Sequence, residues 1–189
     1  MNYLNDLQAY RDREIEVYRR LDLDSVNTVM NVLEEARLSG KHIFICGNGG
    51  SASTASHYCC DFNKGVSENQ EHKYNFECLS DNVPIMMAIG NDIGYEEVFR
   101  FPLRNKMNSG DILIGISGSG NSKNVVNAFK YAKEIDGTVI AIVGYSGGKM
   151  KDMADYSIHV DINDMQISED LHMVLDHMMI YVLSHGSGC

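Results

Sequence analysis

The chain is short of positive charge. Its 189 residues carry 16 Lys and Arg against 26 Asp and Glu, a formal net charge of -10. A nucleic-acid-binding face needs basic side chains to neutralise backbone phosphates, so this balance argues against a nucleic-acid partner. It leaves room for a small phosphorylated ligand, because backbone amides and hydroxyls hold phosphate without net charge. No apolar run reaches bilayer-spanning length, and no membrane partner is expected. Residues Met1 to Asp24 are polar and acidic, without the basic and apolar regions of a signal peptide, so a cytoplasmic protein is expected. Cys46, Cys59, Cys60, Cys78 and Cys189 form no CxxC pair, and an odd count without a secretory signal gives no disulfide framework. Free thiols are expected, with Cys46 and Cys78 acting as small hydrophobes in apolar runs. Nothing in the chain reads as a linker. Residues 1–189 form one domain, with 1–39 as an N-terminal helical extension.

What is present is ordinary globular composition, 44% hydrophobic and 22% charged, organised around glycine loops. The run His42-Ile43-Phe44-Ile45 reads as a strand, Cys46 to Ser51 as a glycine turn, and residues 52–62 as a short helix. Strand, glycine turn and helix start together aim free amides and a helix dipole at an anion. The pattern returns at Ile112 to Ile116, where Ser117-Gly118-Ser119-Gly120-Asn121-Ser122 precedes a helix bearing Val125, Val126, Ala128 and Phe129. Two such loops converging on one terminal phosphate is the favoured reading. Gly47-x-Gly49-x-x-Ala52 also fits a dinucleotide fingerprint, but Glu77 and Asp81 lie too far along to supply its acidic residue. A turn needed only to bend the chain is the plain alternative.

Around these loops the spacing predicts helices over residues 3–21 and from a cap at Asp24 or Ser25, the latter ending at Ser39-Gly40. Their apolar surface is assigned to core packing, with a subunit interface as the alternative. Asn63 to Lys73 reads as a polar surface loop, Asn75 to Leu79 as a strand and Pro84 to Ile89 as a short helix. Gly90-Asn91-Asp92 reads as a loop and 95–107 as a helix. Strands over Thr138–Val143 and Tyr156–Val160 flank a third glycine loop, Gly144 to Gly148. A long helix from Ile167 to Leu183 closes the chain before a Gly-Ser tail. Near-continuous apolar strands alternating with helices predict a mainly parallel sheet covered on both faces, with ligands at the strands' carboxyl ends.

The ionisable candidates lie on two helices. His57 and Asp61 stand four apart on one face of the helix after the first loop. They suit a metal pair, a hydrogen-bonded surface pair or part of an acid–base site. On the last helix, His172 and Asp176 read as a pair on a solvated face, and His177 is open between function and packing.

Together these stretches, with Gly147-Gly148-Lys149 and the helix from His172 to His177, resemble the sugar isomerase (SIS) domain family, and within it the phosphoheptose isomerases. The resemblance implies an α/β fold, a five-stranded parallel sheet flanked by helices in a flavodoxin-like three-layer sandwich. It also implies a homotetramer with active sites between subunits, and isomerisation of a phosphosugar substrate, sedoheptulose 7-phosphate. Substrate contacts carried over from it are Asn48, Gly49, Gly50, Ser51, Asn91, Asp92, Ser117, Gly118, Ser119, Ser122 and Glu169. The family's divalent metal, usually zinc, would fall on His57, Asp61, Glu169 and His177. Its general base falls on Asp61 and its general acid on His177.

Two residues depart from the family pattern, which has Glu at Asp61 and Gln at Glu169. The first withdraws the carboxylate by about 1.5 Å, and the second adds charge near the metal. Glu169 and His177 are also separated by about 12 Å along an ideal helix, so one ion reaching both needs extended side chains or an irregular helix start. A rival within the same family is a non-catalytic phosphosugar sensor or a partner of the bacterial replication initiator. Relatives of that kind lack the carboxylate and the final-helix His, so Asp61 and His177 favour an enzyme. A related isomerase acting on another phosphosugar is a third reading.

Overall fold

The computed structural model describes residues 1–185. The Gly-Ser tail and Cys189 lie outside them. In chain order the elements are α1 (Leu4–Arg19), α2 (Leu23–Leu38), β1 (Ile43–Gly47), α3 (Gly50–Cys60), β2 (Phe76–Cys78), α4 (Val83–Asp92) and α5 (Arg100–Leu103). There follow β3 (Ile112–Ser117), α6 (Lys123–Glu134), β4 (Thr138–Val143), α7 (Gly148–Met153), β5 (Tyr156–His159) and α8 (Met165–His185). The five strands form one sheet in the order β2-β1-β3-β4-β5, and every pairing is parallel. That is the expected α/β architecture. β1 and β3 are adjacent although β2 lies between them in sequence, so the strand order reverses there and opens a crevice at their carboxyl ends.

Both faces of the sheet are covered. Ile43, Ile45, Ile114 and Ile142 pack against α2, α3 and α8, while Phe44, Leu113, Val139 and Ala141 pack against α5 and α6. The run of wholly buried residues along β1 and β3 is what a central parallel strand requires.

Several local expectations are corrected. The cap of α2 is Asp22, whose carboxylate accepts from the amides of Asp24 and Ser25. Residues 63–73 are not simply a polar loop: α3 runs into a π-helical turn, Asp61–Gly65, then a 3-10 turn, Val66–Asn69, with Phe62, Val66 and Ser67 buried. Gly90, Asn91 and Asp92 are the last turn of α4 rather than a loop. The helix expected over 95–107 is a 3-10 turn, Tyr95–Glu97, followed by the four-residue α5. Pro102, with no amide to donate and a ring that clashes one turn back, prevents one continuous helix. A short helix, α7, follows the third glycine loop where none was expected.

The N-terminal helices divide. Val26, Val29, Leu33 and Ala36 of α2 enter the core, but α1 buries only Val17. Leu4, Leu7, Ile15 and Tyr18 remain exposed, and polar links from Arg13 to Asp164 (2.8 Å) and from Tyr10 to Asp170 tie α1 to the start of α8. The core-packing expectation therefore holds for α2 and fails for α1.

Candidate functional site

The first loop follows β1 and launches α3. Gly49, the residue before the helix, has φ +57°, a conformation open to glycine at little cost. No side chain caps α3, so its first amides face outward. The second loop follows β3 and launches α6, whose start at Ser122 is likewise uncapped by a side chain. Here the hydroxyls organise one another: Ser117 Oγ lies 3.1 Å from Ser122 Oγ and 3.5 Å from Ser119 Oγ, and accepts from the Gly120 amide at 3.2 Å.

The loops are joined. Asn48 Nδ2 donates to Asn124 Oδ1 at 3.0 Å, and Asn124 Nδ2 donates back to Asn48 Oδ1 at 2.8 Å. Tyr95 adds its hydroxyl to Asn48 Oδ1 at 2.8 Å. Asn124 and Tyr95 escaped sequence reading, because an Asn in the first turn of a helix and an isolated Tyr carry no motif. Asn91 and Asp92 are exposed and bonded to each other at 2.7 Å, and the tie from their segment to the first loop runs through Tyr95.

The ionisable cluster lies further along α3, toward its carboxyl end, against α8. His57 Nε2 lies 3.1 Å from His177 Nε2, 3.5 Å from Asp61 Oδ2 and 3.8 Å from Asp176 Oδ2. One ligand atom from each of these four residues lies within 4.8 Å of all the others. The exposed-pair expectation for His172 and Asp176 is overturned, since both are 0% exposed. Among the described residues, neither oxygen of Asp176 and neither ring nitrogen of His172 has a hydrogen-bond partner. Burial, reinforced by the charge of Asp61, pushes the Asp176 carboxyl up to about 7. Burial pushes His172 down to about 4, against a weaker opposing effect of the Val143 backbone.

Glu169 is not in this group. It is half-buried at the first loop, with its carboxylate so close over Gly50 that a Cβ there would collide with it. His57 also borders an open hollow of ≈ 510 Å³ with Ser53, Ser56, Cys60, Ser80 and Asp81. The four cysteines among the described residues are free thiols, with Cys46 and Cys78 buried as expected.

The cluster of His57, Asp61, Asp176 and His177 fits a divalent cation. Two carboxylates and two imidazoles are donors suited to zinc, and an unpartnered buried carboxylate is what a bound cation would neutralise.

A switch-point crevice with two glycine loops opening two helices, beside a His–carboxylate cluster, agrees with what similarity to known proteins shows. The SIS domain family model matches residues 3–144, and the chain belongs to the SIS domain family. Among named relatives, it is 36% identical over 167 residues to the phosphoheptose isomerase of Helicobacter pylori (strain P12), covering 88% of this chain and 84% of that one. It is 32% identical over 174 residues to a probable phosphoheptose isomerase of Thermoplasma acidophilum, covering 92% and 95%. The solved phosphoheptose isomerase of Neisseria gonorrhoeae superposes with a TM-score of 0.88 at 28% identity, over 96% of this chain and 98% of that one.

Proposed function

We propose that the chain is an aldose–ketose isomerase that converts sedoheptulose 7-phosphate to a heptose 7-phosphate. The observation that carries this reading is the placing of two uncapped, serine-lined helix starts beside the His57, Asp61 and His177 cluster, all anchored on α3 and its neighbours. Its relatives named phosphoheptose isomerase support the substrate.

The distal phosphate is bound by the amides and side chains of Asn48 to Ser51 and by Ser117, Gly118, Ser119 and Ser122. Its remote binding energy orients the carbonyl end. Asp61 removes a proton from C1 of the ketose, and that electron pair forms the C1=C2 bond while His177 protonates the C2 oxygen. Return of the proton from Asp61 to C2, with the C1 hydroxyl proton going back to His177, leaves the aldehyde at C1. Bonds and protons balance, and no outside oxidant is used.

His57, Asp61 and His177 are the residues that would hold a divalent cation, zinc by their donor types. When bound there it would supply Lewis-acid polarisation of the carbonyl. A single imidazole nitrogen cannot hold a cation and a proton together, so the two roles of His177 are exclusive at Nε2. No helix among the described residues is long and apolar enough to cross a membrane. A cytoplasmic homotetramer is the assembly we favour, with the exposed apolar side chains of α1 available to pack between subunits.

The test is incubation of the purified chain with sedoheptulose 7-phosphate, with and without added zinc, followed by separation of the sugar phosphates. Formation of the aldose is expected. Absence of aldose under both conditions, with isomerisation of some other ketose phosphate in a panel, would transfer the activity to that substrate.

A further inference from the structure

We infer that Asp176, and not Glu169, completes the cation site, and that Glu169 is left on the substrate side of the first loop. This deepens the cation reading above and depends on it.

Three observations point the same way. First, Asp176 is a wholly buried carboxylate with no partner for either oxygen. A charged group taken out of water in this way is stable only if neutralised or paired. Its nearest cationic candidate, His57 Nε2 at 3.8 Å, is beyond hydrogen-bond length.

Second, the spacing suits an ion. Donor atoms about 2.1 Å from a tetrahedral zinc stand about 3.4 Å from one another. The separations of His57 Nε2 from His177, Asp61 and Asp176, at 3.1, 3.5 and 3.8 Å, straddle that value. Two imidazole nitrogens 3.1 Å apart also need a proton or a cation between their lone pairs. With neutral imidazoles, the two carboxylates carry the charge that a divalent ion cancels.

Third, Glu169 is occupied elsewhere. It lies in the second turn of α8, two turns before His177, and its carboxylate rests on Gly50 at the mouth of the first loop. Asp176 immediately precedes His177 and shares the inward-facing side of α8 with His172, Leu175 and Met179. The shortened Asp61 is thus matched by a second short carboxylate reaching the same point from the opposite helix.

The experiment is zinc titration of the chelator-stripped full-length protein against a chromophoric competitor, with the zinc-induced rise in melting temperature as a second readout. Asp176→Asn should weaken zinc binding by at least about 10-fold and shrink the thermal shift. It removes a buried charge at constant shape, so its zinc-free form should melt no lower than wild type. Glu169→Gln should bind zinc as wild type does and instead change KM for the phosphosugar. Undiminished zinc binding by Asp176→Asn, or a loss in Glu169→Gln equal to that in His57→Ala, overturns the inference while leaving the cation reading standing. A wild-type protein that binds no zinc overturns both. The zinc titration and the melting readout do not depend on isomerase activity, so failure of the proposed reaction would be seen separately, in the KM assay alone.

Discussion

The proposed phosphate cradle and the proposed cation cluster share α3, and they treat their polar groups in opposite ways. In the cradle, Ser117 lies within reach of both Ser119 and Ser122, and Asn48 and Asn124 exchange two hydrogen bonds. These side chains partner one another, while the start of α3 has no side-chain cap. In the cluster, Asp176 has no hydrogen-bond partner among the described residues, and the facing nitrogens of His57 and His177 share at most one proton between them. A site for a neutral-to-anionic exchange can be preorganised by its own hydroxyls. A site for a cation is held only by the surrounding packing, and here that packing is the buried face of α8 against α3.

The contrast can be broken from either side. The largest effect should come from the cluster's reacting groups: Asp61→Asn and His177→Ala are each expected to lower kcat by about 10²–10⁴-fold, with circular dichroism unchanged. Near-wild-type turnover in either variant would remove its assigned role. The cradle should respond more mildly and in a different parameter. Ser119→Ala removes one hydroxyl donor to a phosphate, a hydrogen bond to a charged group worth about 1.5–3 kcal/mol. KM should rise by the corresponding factor of about 10–100 while kcat changes little. A loss confined to kcat would mean the loop does chemistry rather than binding.

The smallest and most diagnostic change concerns His172. Its folded pKa, about 4, lies below the ordinary value of 6.5 because burial disfavours the imidazolium. Below pH 6.5 the unfolded chain therefore takes up a proton that the folded chain refuses. Stability from this group is present above pH 6.5 and is lost as pH falls through about 4. In chelator-treated protein, His172→Leu should flatten this part of the melting-temperature profile relative to wild type. An unchanged difference between pH 7 and pH 4.5 would show that His172 is not buried neutral.

How much of this was legible in the sequence differs between the same two regions. The cradle is local: strand, glycine loop and helix start are contiguous, so Cys46 to Ser51 and Ser117 to Ser122 announced themselves, as did the parallel sheet. The cluster is assembled from two helices more than a hundred residues apart, and there spacing misled. His172 and Asp176, four apart, look like an exposed ion pair, and only the packing of α8 onto α3 buries them. Glu169 entered the ligand set only through the family resemblance, with the helical rise already against it, and its carboxylate lies over Gly50 at the first loop. The misread helix over 95–107 had its reason in plain view at Pro102, which the apolar periodicity obscured.

The reciprocal bonds between Asn48 and Asn124 have a consequence for how the molecule becomes competent to bind. They close a contact between segments 76 residues apart, on loops that follow the paired strands β1 and β3. No fragment ending before β3 contains both loops, so a ligand bridging them would require β1 and β3 to be paired. A ligand bridging both loops is expected to slow amide exchange in β1 and β3 together, as well as in the loops it touches.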